Sequence, residues 1–337
     1  MPGTSKNWNF RAYLFMDKSM AAVKILETVF YIPGDTNVGV VYCDSPENNN
    51  QKDVYLIESG MHRKDAERIY QELETLFPKE KGGFRLVSII NTHAHTDHAG
   101  GNAFFIEKTK CDVLISKKEA AVLLNPALNG VIFCGGQLYP GINIPYFIAE
   151  YSEPTQIIDE KTVIELPNGT EISFISLPGH TFDMLGVIVK EKSGKSAMFA
   201  GDAFFGSNHI IKYWIPYLFD VKEFKESLDK IAKLKCDIFV PGHGDPCKNI
   251  EEVTELNKIA VISTEKCILH AIEKKGQTET DILKYVADKN DIKLRLNQFV
   301  LISITIKAYL MYLLQENLIN FQIIDNMMIW TKTDKAD

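Results

Sequence analysis

Short apolar runs alternate with polar, turn-forming segments in the first part of the chain, and this pattern predicts β-strands. The runs cover residues 23–32, 37–43 and 53–58, and the segments PGDT and DSPENNNQK separate them. Runs of this kind predict adjacent strands of a meander. Residues 62–77 then carry apolar side chains at helical spacing, and residues 85–90 return to a strand pattern.

The order strand, helix, strand continues as far as residue 240. Helical spacing recurs at residues 102–110, 117–124 and 221–234. Further strand patterns cover, in order, residues 112–115, 163–166, 172–177, 186–190, 197–200 and 237–240. Two sets of strands, each accompanied by helices, predict an α/β fold built as a four-layer αββα sandwich rather than one doubly wound sheet.

An insert at residues 125–155 interrupts this rhythm. It is rich in Gly, Pro and aromatic residues and shows no clear period. Such a segment is either a functional cover or a packed surface excursion, and both interpretations stay open.

The composition changes after residue 249. Three helical runs, at residues 250–275, 280–289 and 298–315, are followed by two short β-like pieces at 318–324 and 327–331. This is the order of a winged helix. The pattern therefore predicts an N-terminal extension, an α/β domain and a winged-helix-like α+β domain, over residues 1–22, 23–249 and 250–337.

Charge narrows the range of partners. The chain of 337 residues is 45% apolar and 24% charged, as in a soluble globular protein, and its net charge is −7. This balance argues against a general nucleic-acid binder. Residues 251–337 hold eleven Lys or Arg against thirteen Asp or Glu, and Lys307 is the one basic residue of the 298–315 run. That apolar helix favours packing or a homodimer through the C-terminal domain over contact with nucleic acid.

The location of the protein follows from three further features. No stretch of 18 uninterrupted apolar residues is present, and the first twenty residues lack the apolar core of a secretory signal. The six cysteines are scattered and form no C-x-x-C pair, which favours a reducing compartment. We therefore expect a cytoplasmic protein with no membrane partner.

Ligand-type side chains lie just after four of the predicted strands. They are His93, His95, Asp97, His98, His180, Asp202 and His243. Imidazole and carboxylate together suit zinc, and also iron or manganese, while the absence of thiolates disfavours a structural zinc site. Seven ligands exceed the need of one tetrahedral ion and fit two. The alternation in HAHTDH would let His93 and His95 face one ion, and Asp97 and His98 its neighbour.

The motifs HAHTDH at residues 93–98, GH at 179–180, GD at 201–202 and PGHG at 241–244 resemble those of the metallo-β-lactamase superfamily. The resemblance covers residues 23 to about 250. It implies two metal ions per chain, Zn²⁺ in the first instance. His93, His95 and His180 would hold the first ion and Asp97, His98 and His243 the second, with Asp202 bridging both.

The resemblance also implies a reaction. A hydroxide between two ions would be the nucleophile, because metals lower the pKa of bound water to about 7, and Asp97 would be the catalytic residue that orients it. Asp202 would be absent from a two-zinc β-lactamase, and His95 stands where flavodiiron oxidoreductases carry Glu. The motifs are most similar to those of glyoxalase II-like thioesterases, lactonases and lactamase-like hydrolases with a winged helix.

The leading hypothesis is thus a metal-dependent hydrolase of a small ester, thioester or lactone. Three alternatives stay open: a phosphodiesterase or ribonuclease of the same superfamily, a mononuclear iron persulfide dioxygenase, and a non-enzymatic winged-helix regulator. The first alternative would need basic residues along the cleft. One iron per chain would indicate the second, and lost ligands would indicate the third.

Aromatic residues are candidates for substrate contact. Tyr139 and Tyr146 in the insert would belong to a cap over the metals, or else cover a hydrophobic edge. Tyr213 would supply the opposite wall of an apolar pocket. His209, seven residues after Asp202, is the histidine outside the motifs with a route to the substrate.

Overall fold

The computed structural model describes residues 21–48, 50–138, 144–272 and 276–336. Its strands are β1 (Val23–Lys24), β2 (Val29–Ile32), β3 (Val38–Asp44), β4 (Lys52–Ile57), β5 (Phe84–Ile90), β6 (Asp112–Ile115), β7 (Gln156–Ile157), β8 (Val163–Glu165), β9 (Glu171–Ser176), β10 (Leu185–Lys190), β11 (Ser196–Phe199), β12 (Ile238–Val240), β13 (Ile319–Ile324) and β14 (Met327–Lys332). Its helices are α1 (Arg63–Leu76), α2 (Thr96–Ala99), α3 (Asn102–Thr109), α4 (Lys117–Leu124), α5 (Ala127–Cys134), α6 (Ile144–Phe147), α7 (Ser207–Lys212), α8 (Val221–Ile231), α9 (Ile250–Ile272), α10 (Glu279–Lys289) and α11 (Leu296–Gln315).

Seven strands form the first sheet, in the order β1 to β7. Strands β2, β3 and β4 make the expected antiparallel meander, and β4 to β7 run parallel. The single strand predicted over residues 23–32 is wrong, because β1 and β2 are two strands that fold back on each other. The turn between them closes with a 2.9 Å hydrogen bond from Ile25 N to Val29 O, and it buries Leu26. Because this turn contains a buried apolar residue, the apolar run continues through it and the sequence gives no sign of a break.

The second sheet has five strands in the order β12-β11-β10-β9-β8. The two sheets pack face to face through a shared core, to which Val41 and Ile57 contribute from the first sheet and Phe174 and Val187 from the second. Helices α1 and α3 cover the outer face of the first sheet. Helices α8 and α9 cover the outer face of the second. The predicted four-layer αββα sandwich is confirmed.

The insert is more regular than its sequence suggested. It contains α5 and α6, and Phe133, Leu138 and Phe147 pack there against Val300 of α11. Helix α5 showed no period because it is apolar on both sides, with Val131 exposed and Phe133 buried. Tyr139 lies outside the described residues.

The C-terminal region contains α9, α10, α11 and the β13–β14 hairpin, and Gln277 pairs with Trp330 beside the hairpin. Its core is continuous with the layer that covers the second sheet. Within the described ranges, α11 alone is long and apolar enough to cross a bilayer. Here it packs as a core helix, with Tyr309, Leu310 and Leu313 fully buried. The domain division at residue 250 and the winged helix stay predictions.

Candidate metal centre

The seven predicted ligands come together at one edge of the sandwich. The chain leaves β5 at Ile90, passes His93 and His95, and turns into α2, which carries Asp97 and His98. The other three follow strands of the sheets, in loops after β9, β11 and β12. Rigid strands therefore hold every loop of the centre.

The side chains form two groups of three. The ligand atoms of His93, His95 and His180 lie within 4.8 Å of one another, and so do those of Asp97, His98 and His243.

Asp202 lies between the two groups. Its Oδ2 is 3.3 Å from His180 Nε2 and 3.4 Å from His243 Nε2, and its Oδ1 is 3.3 Å from His98 Nε2. Its two oxygen atoms therefore face histidines of both groups.

Buried polar atoms at the centre test whether a metal fits. Among the described residues, His93 Nε2, His98 Nε2 and Asp202 Oδ1 are buried and have no hydrogen-bond partner. The 3.3 Å approach between His98 and Asp202 does not make a hydrogen bond in this geometry. Each unsatisfied buried group costs about 1–3 kcal/mol. Divalent cations held by the two groups would satisfy all three, so the residues fit a metal centre.

The first group of ligands is electrically neutral. Burial lowers the pKa of His93 well below its ordinary value and that of His95 to about 3, and burial also lowers the pKa of His180. Neighbouring histidines add to the shift at His93 and His95. Neutral imidazole is the form that binds metal, so this group is prepared for an ion without losing protons.

The second group holds charge. Burial alone would lower the pKa of His98, but the Asp202, Asp97 and Glu58 carboxylates raise it to about 10. Asp202 and Asp97 likewise raise the pKa of His243 against the effect of burial. In return, the histidines hold the pKa values of Asp97 and Asp202 below their ordinary range although burial acts to raise them. Without metal, these histidines keep protons that an ion would displace.

A second layer of contacts orients the ligands. His98 Nδ1 lies 3.1 Å from Glu58 Oε1, His180 Nδ1 lies 2.9 Å from the Tyr217 carbonyl oxygen, and His243 Nδ1 lies 2.5 Å from the Asp35 carbonyl oxygen. Asn37 Nδ2 donates to the carbonyls of Pro241 and Gly244 and so fixes the loop of His243. Such partners fix the ring orientation of ligating histidines.

The sequence did not predict these supporting residues. Glu58 lies directly after β4, so the rule that found the other strand-end ligands would have found it too. Asn37 and Tyr217 act through an amide and a backbone carbonyl and carry no recognisable signal. Gly242 is required by close approach, because a Cβ there would lie 2.3 Å from Asp202 Oδ1.

Two of the predicted substrate residues lie beside the second group. The His209 ring stacks on His243 with centroids 5.1 Å apart, and Tyr213 lies 4.7 Å from His209. Burial lowers the pKa of His209 to about 4. Its substrate role stays a prediction.

The first group faces an aromatic wall. The Phe133 ring is 5.7 Å from His95, and Tyr217 is 5.4 Å from both His95 and His180. Tyr146 reaches this wall through Phe147, and its substrate role stays a prediction. It contacts Phe147, which contacts Phe133, and it is 36% exposed. Phe133 was missed because its helix was not visible in the sequence.

Glu119 is a further carboxylate near the first group. Its Oε2 accepts a 3.0 Å hydrogen bond from Ala94 N, between His93 and His95. Burial raises the pKa of Glu119 to about 7.

Fold and site together define a metal-binding αββα protein, and comparison with known proteins identifies the family. The family model of the metallo-beta-lactamase superfamily matches residues 31–243. The chain therefore belongs to the metallo-beta-lactamase superfamily, and it is an enzyme of that superfamily.

Curated relatives are distant. A probable metallo-hydrolase of Methanocaldococcus jannaschii is 25% identical over 49% of this chain and 74% of its own length. An acyl-coenzyme A thioesterase of Gallus gallus is 24% identical over 58% of this chain and 69% of its own. An atrochrysone carboxyl ACP thioesterase of Aspergillus fumigatus is 24% identical over 58% of this chain. The match spans about half (49%) of that relative's length.

Solved structures support the fold over nearly the whole chain. A beta-lactamase domain protein from Burkholderia ambifaria has a TM-score of 0.71 at 13% identity and covers 95% of this chain and 97% of its own. A metallo-beta-lactamase family protein from Thermus thermophilus has a TM-score of 0.68 at 16% identity, with 91% and 99% covered. The likeness therefore includes the C-terminal region.

Proposed function

We propose that the chain is a metal-dependent hydrolase that uses two divalent ions, zinc in the first instance, to cleave a small ester, thioester or lactone. The observation that carries this proposal is the arrangement of two groups of three ligands with Asp202 between them. Bound ions would polarise the scissile carbonyl and activate water. His93, His95 and His180 would hold one ion, and Asp97, His98 and His243 the other.

Asp97 is the carboxylate best placed to act on the reacting water. Its side chain is 24% exposed, against 5% for Asp202. Its Oδ2 lies 3.0 Å from His243 Nε2 and 3.4 Å from Thr36 Oγ1, so two contacts fix its direction. A fixed, partly exposed carboxylate whose pKa is lowered stays ionised and can orient the attacking oxygen by accepting a hydrogen bond from it.

The surroundings favour an acyl substrate over a phosphodiester. Aromatic rings of Phe133 and Tyr217 border the first group. The cavity beside His95 has no Lys or Arg among its described lining residues, whereas a polyanion would need cations there. The names of two relatives, both thioesterases, support the same choice.

Metal analysis and a substrate panel test the proposal. Protein purified without added metal should carry about two zinc ions, and should cleave thioester, ester or lactone substrates faster than a phosphodiester. Asp97→Asn should lower kcat by about 10²–10⁴-fold. Asp288→Asn, an exposed position on α10, is the matched control. One iron per chain with no hydrolysis, or full activity of Asp97→Asn, would contradict the proposal.

Two further proposals concern the location of the protein and its oligomeric state. We propose a cytoplasmic location and a homodimer through residues 250–337. The unpaired cysteines and the exposed apolar residues Phe321, Ile323 and Met328 of the hairpin support them. Sedimentation of the purified chain would test the dimer, and a monomer at micromolar concentration would contradict it.

A further inference from the structure

A buried amide on α9 lies behind the metal centre. It belongs to Asn257, which comes after residue 243, where the match to the family model ends. Asn257 is fully buried, although Asn is a weak helix former and a buried amide is costly without hydrogen bonds. Packing alone would therefore favour an apolar residue at this position of α9.

The Asn257 amide binds both main-chain polar groups of Phe205. Its Oδ1 accepts a 2.9 Å hydrogen bond from Phe205 N, and its Nδ2 donates to Phe205 O at 2.8 Å. Nδ2 also donates to Val253 O, one turn earlier on α9, at 2.8 Å. This third bond fixes the amide to its own helix, so the first two hold Phe205 to α9.

Phe205 lies between the two ligand groups. It follows Asp202 by three residues and is buried. Its ring centroid is 6.0 Å from that of His180 and 6.2 Å from that of His243. The Phe205 and His243 rings are nearly parallel, with 8° between their planes. One ligand of each group therefore faces a ring whose backbone Asn257 holds.

The next residue extends this support to the loop of His243. Gly206 N donates a 2.9 Å hydrogen bond to His243 O. The two segments approach so closely that a Cβ on Gly206 would lie 2.7 Å from Asp245 N. A shift of residues 205–206 would therefore move the loop that carries His243 as well.

We infer that Asn257 is a positioning residue of the metal centre. By pairing with Phe205, it holds the Asp202 loop (residues 201–206) and the His243 loop (residues 241–245) in the arrangement that lets both side chains bind an ion. Asn257 acts on the ligands through Phe205 and Gly206. The inference rests on the proposed function, because it takes over the ligand roles of Asp202 and His243.

Hydrogen exchange of the metal-free chain tests the positioning without any reaction. Asn257→Leu is close in size and removes both bonds to Phe205. Exchange within the two loops should become at least about tenfold faster, because the Phe205 backbone loses its partner. Residues 84–90 of β5, in the other sheet, should exchange as in the wild type. Unchanged loops, or equal acceleration along the whole chain, would overturn the inference.

Zinc affinity links the positioning to the metal centre. In Asn257→Leu, the affinity for the second ion should fall by about 10- to 100-fold, as for other outer-shell changes, and the affinity for the first ion by less. Competition with a chelator measures both, under conditions where circular dichroism shows a folded chain. Equal affinities of the folded variant and the wild type would overturn the inference.

Thr254→Val is the matched control for both measurements. Thr254 is buried one turn before Asn257, and its hydroxyl donates to the Ile250 and Glu251 carbonyl oxygens of its own helix. The substitution removes a buried hydrogen bond from α9 without touching Phe205. Both zinc affinities and the exchange of the two loops should match the wild type. A loss as large as that of Asn257→Leu would overturn the inference.

A milder variant carries the test if Asn257→Leu does not fold. In Asn257→Ser the shorter hydroxyl bonds to the carbonyl one turn earlier, as Ser does inside helices, and leaves Phe205 without its partner. Exchange and zinc affinity should change in the same pattern and by less, because water can enter the space. A folded Asn257→Ser that matches the wild type in both would overturn the inference.

The two measurements separate this inference from the proposed function. If the chain hydrolyses nothing, but Asn257→Leu still accelerates loop exchange and still weakens metal binding, the positioning role stands and the proposed function falls. If two zinc ions and hydrolysis are found, but Asn257→Leu matches the wild type in exchange and affinity, the positioning role falls and the function stands.

Discussion

The two ligand groups of the centre differ in charge although they share one carboxylate. His93, His95 and His180 are neutral, since burial and mutual repulsion lower their pKa values. His98 and His243 carry raised pKa values, because Asp97 and Asp202 lie against them. The first group is ready for a cation, whereas the second is an ion-pair network that a cation must displace. If each group holds one ion, as proposed, the two ions should bind with unequal dependence on pH.

Of the substitutions considered, Asp202→Asn should have the largest effect on the zinc affinity of the two ligand groups. The substitution removes the charge that both groups share, and the amide has only one oxygen to offer. We expect zinc affinity to fall by more than the roughly 100-fold of an outer-shell change, with the second ion lost first. Zinc counting after dialysis measures this. Asp229→Asn, at an exposed position on α8, should retain two ions. Unchanged zinc content in Asp202→Asn would show that it does not bridge.

The second prediction concerns protons. A pH near 7 lies below the raised pKa values of His98 and His243, so both histidines are protonated. An ion that enters the second group therefore releases about two protons. Its affinity should rise by about 100-fold per pH unit between pH 6 and 8, because each displaced proton contributes a factor of ten. The first group should show almost no slope. Calorimetry in buffers of different ionisation enthalpy measures both, and equal slopes would contradict the assignment.

The same shifts affect the metal-free protein. The pKa of His98 in the folded chain, about 10, lies above its ordinary value. Its contribution to stability is therefore fully present below pH 6.5 and is lost as the pH rises towards 10. Urea unfolding of chelator-treated protein should give a lower free energy of unfolding at pH 9.5 than at pH 6. His98→Gln should flatten that difference.

A smaller effect is expected from Glu58→Gln. Glu58 orients His98 through a 3.1 Å contact, and its hydrogen-bonded link to the first group runs through the Thr92 hydroxyl to His93. Zinc affinity of the second group should fall by about 10- to 100-fold, which is typical of an outer-shell partner. The first group should change by less. A larger loss of zinc affinity at the first group would contradict the assignment of Glu58 as a partner of the second group.

The smallest effect is expected from His209→Phe. His209 stacks on His243, and its pKa of about 4 keeps it neutral from pH 6 to 8. A phenyl ring preserves the stacking, so zinc affinity should change by no more than about threefold, while His209→Ala should lose more. A large loss in His209→Phe would show that its nitrogen atoms take part in binding.

Much of this centre could be predicted from sequence because strand ends fix its position. His180, Asp202 and His243 each follow a short apolar run that could only be a strand, and the two sheets bring those ends together. Glu58 was overlooked, although it obeys the same rule. The contacts of the Tyr217 and Asp35 carbonyl oxygens with His180 and His243 could not be predicted. Every residue has a backbone carbonyl, so residue type does not indicate which one contacts a histidine.

The insert shows the opposite case. Helix α5 packs against α11, more than 150 residues further along the chain, and it also carries exposed apolar residues such as Val131. Its sequence therefore shows no helical period. Phe133 could not be placed beside His95 without that packing. The hairpin of β1 and β2 was likewise hidden, because its turn buries Leu26.

Anomalous diffraction at the zinc edge, from crystals loaded with zinc, would locate the ions bound to the centre. We predict two peaks per chain. One should lie about 2.0–2.1 Å from nitrogen atoms of His93, His95 and His180, the other at similar distances from Asp97, His98 and His243, with Asp202 bound to both. A single peak, or a second ion that does not contact Asp202, would contradict the proposed two-ion centre.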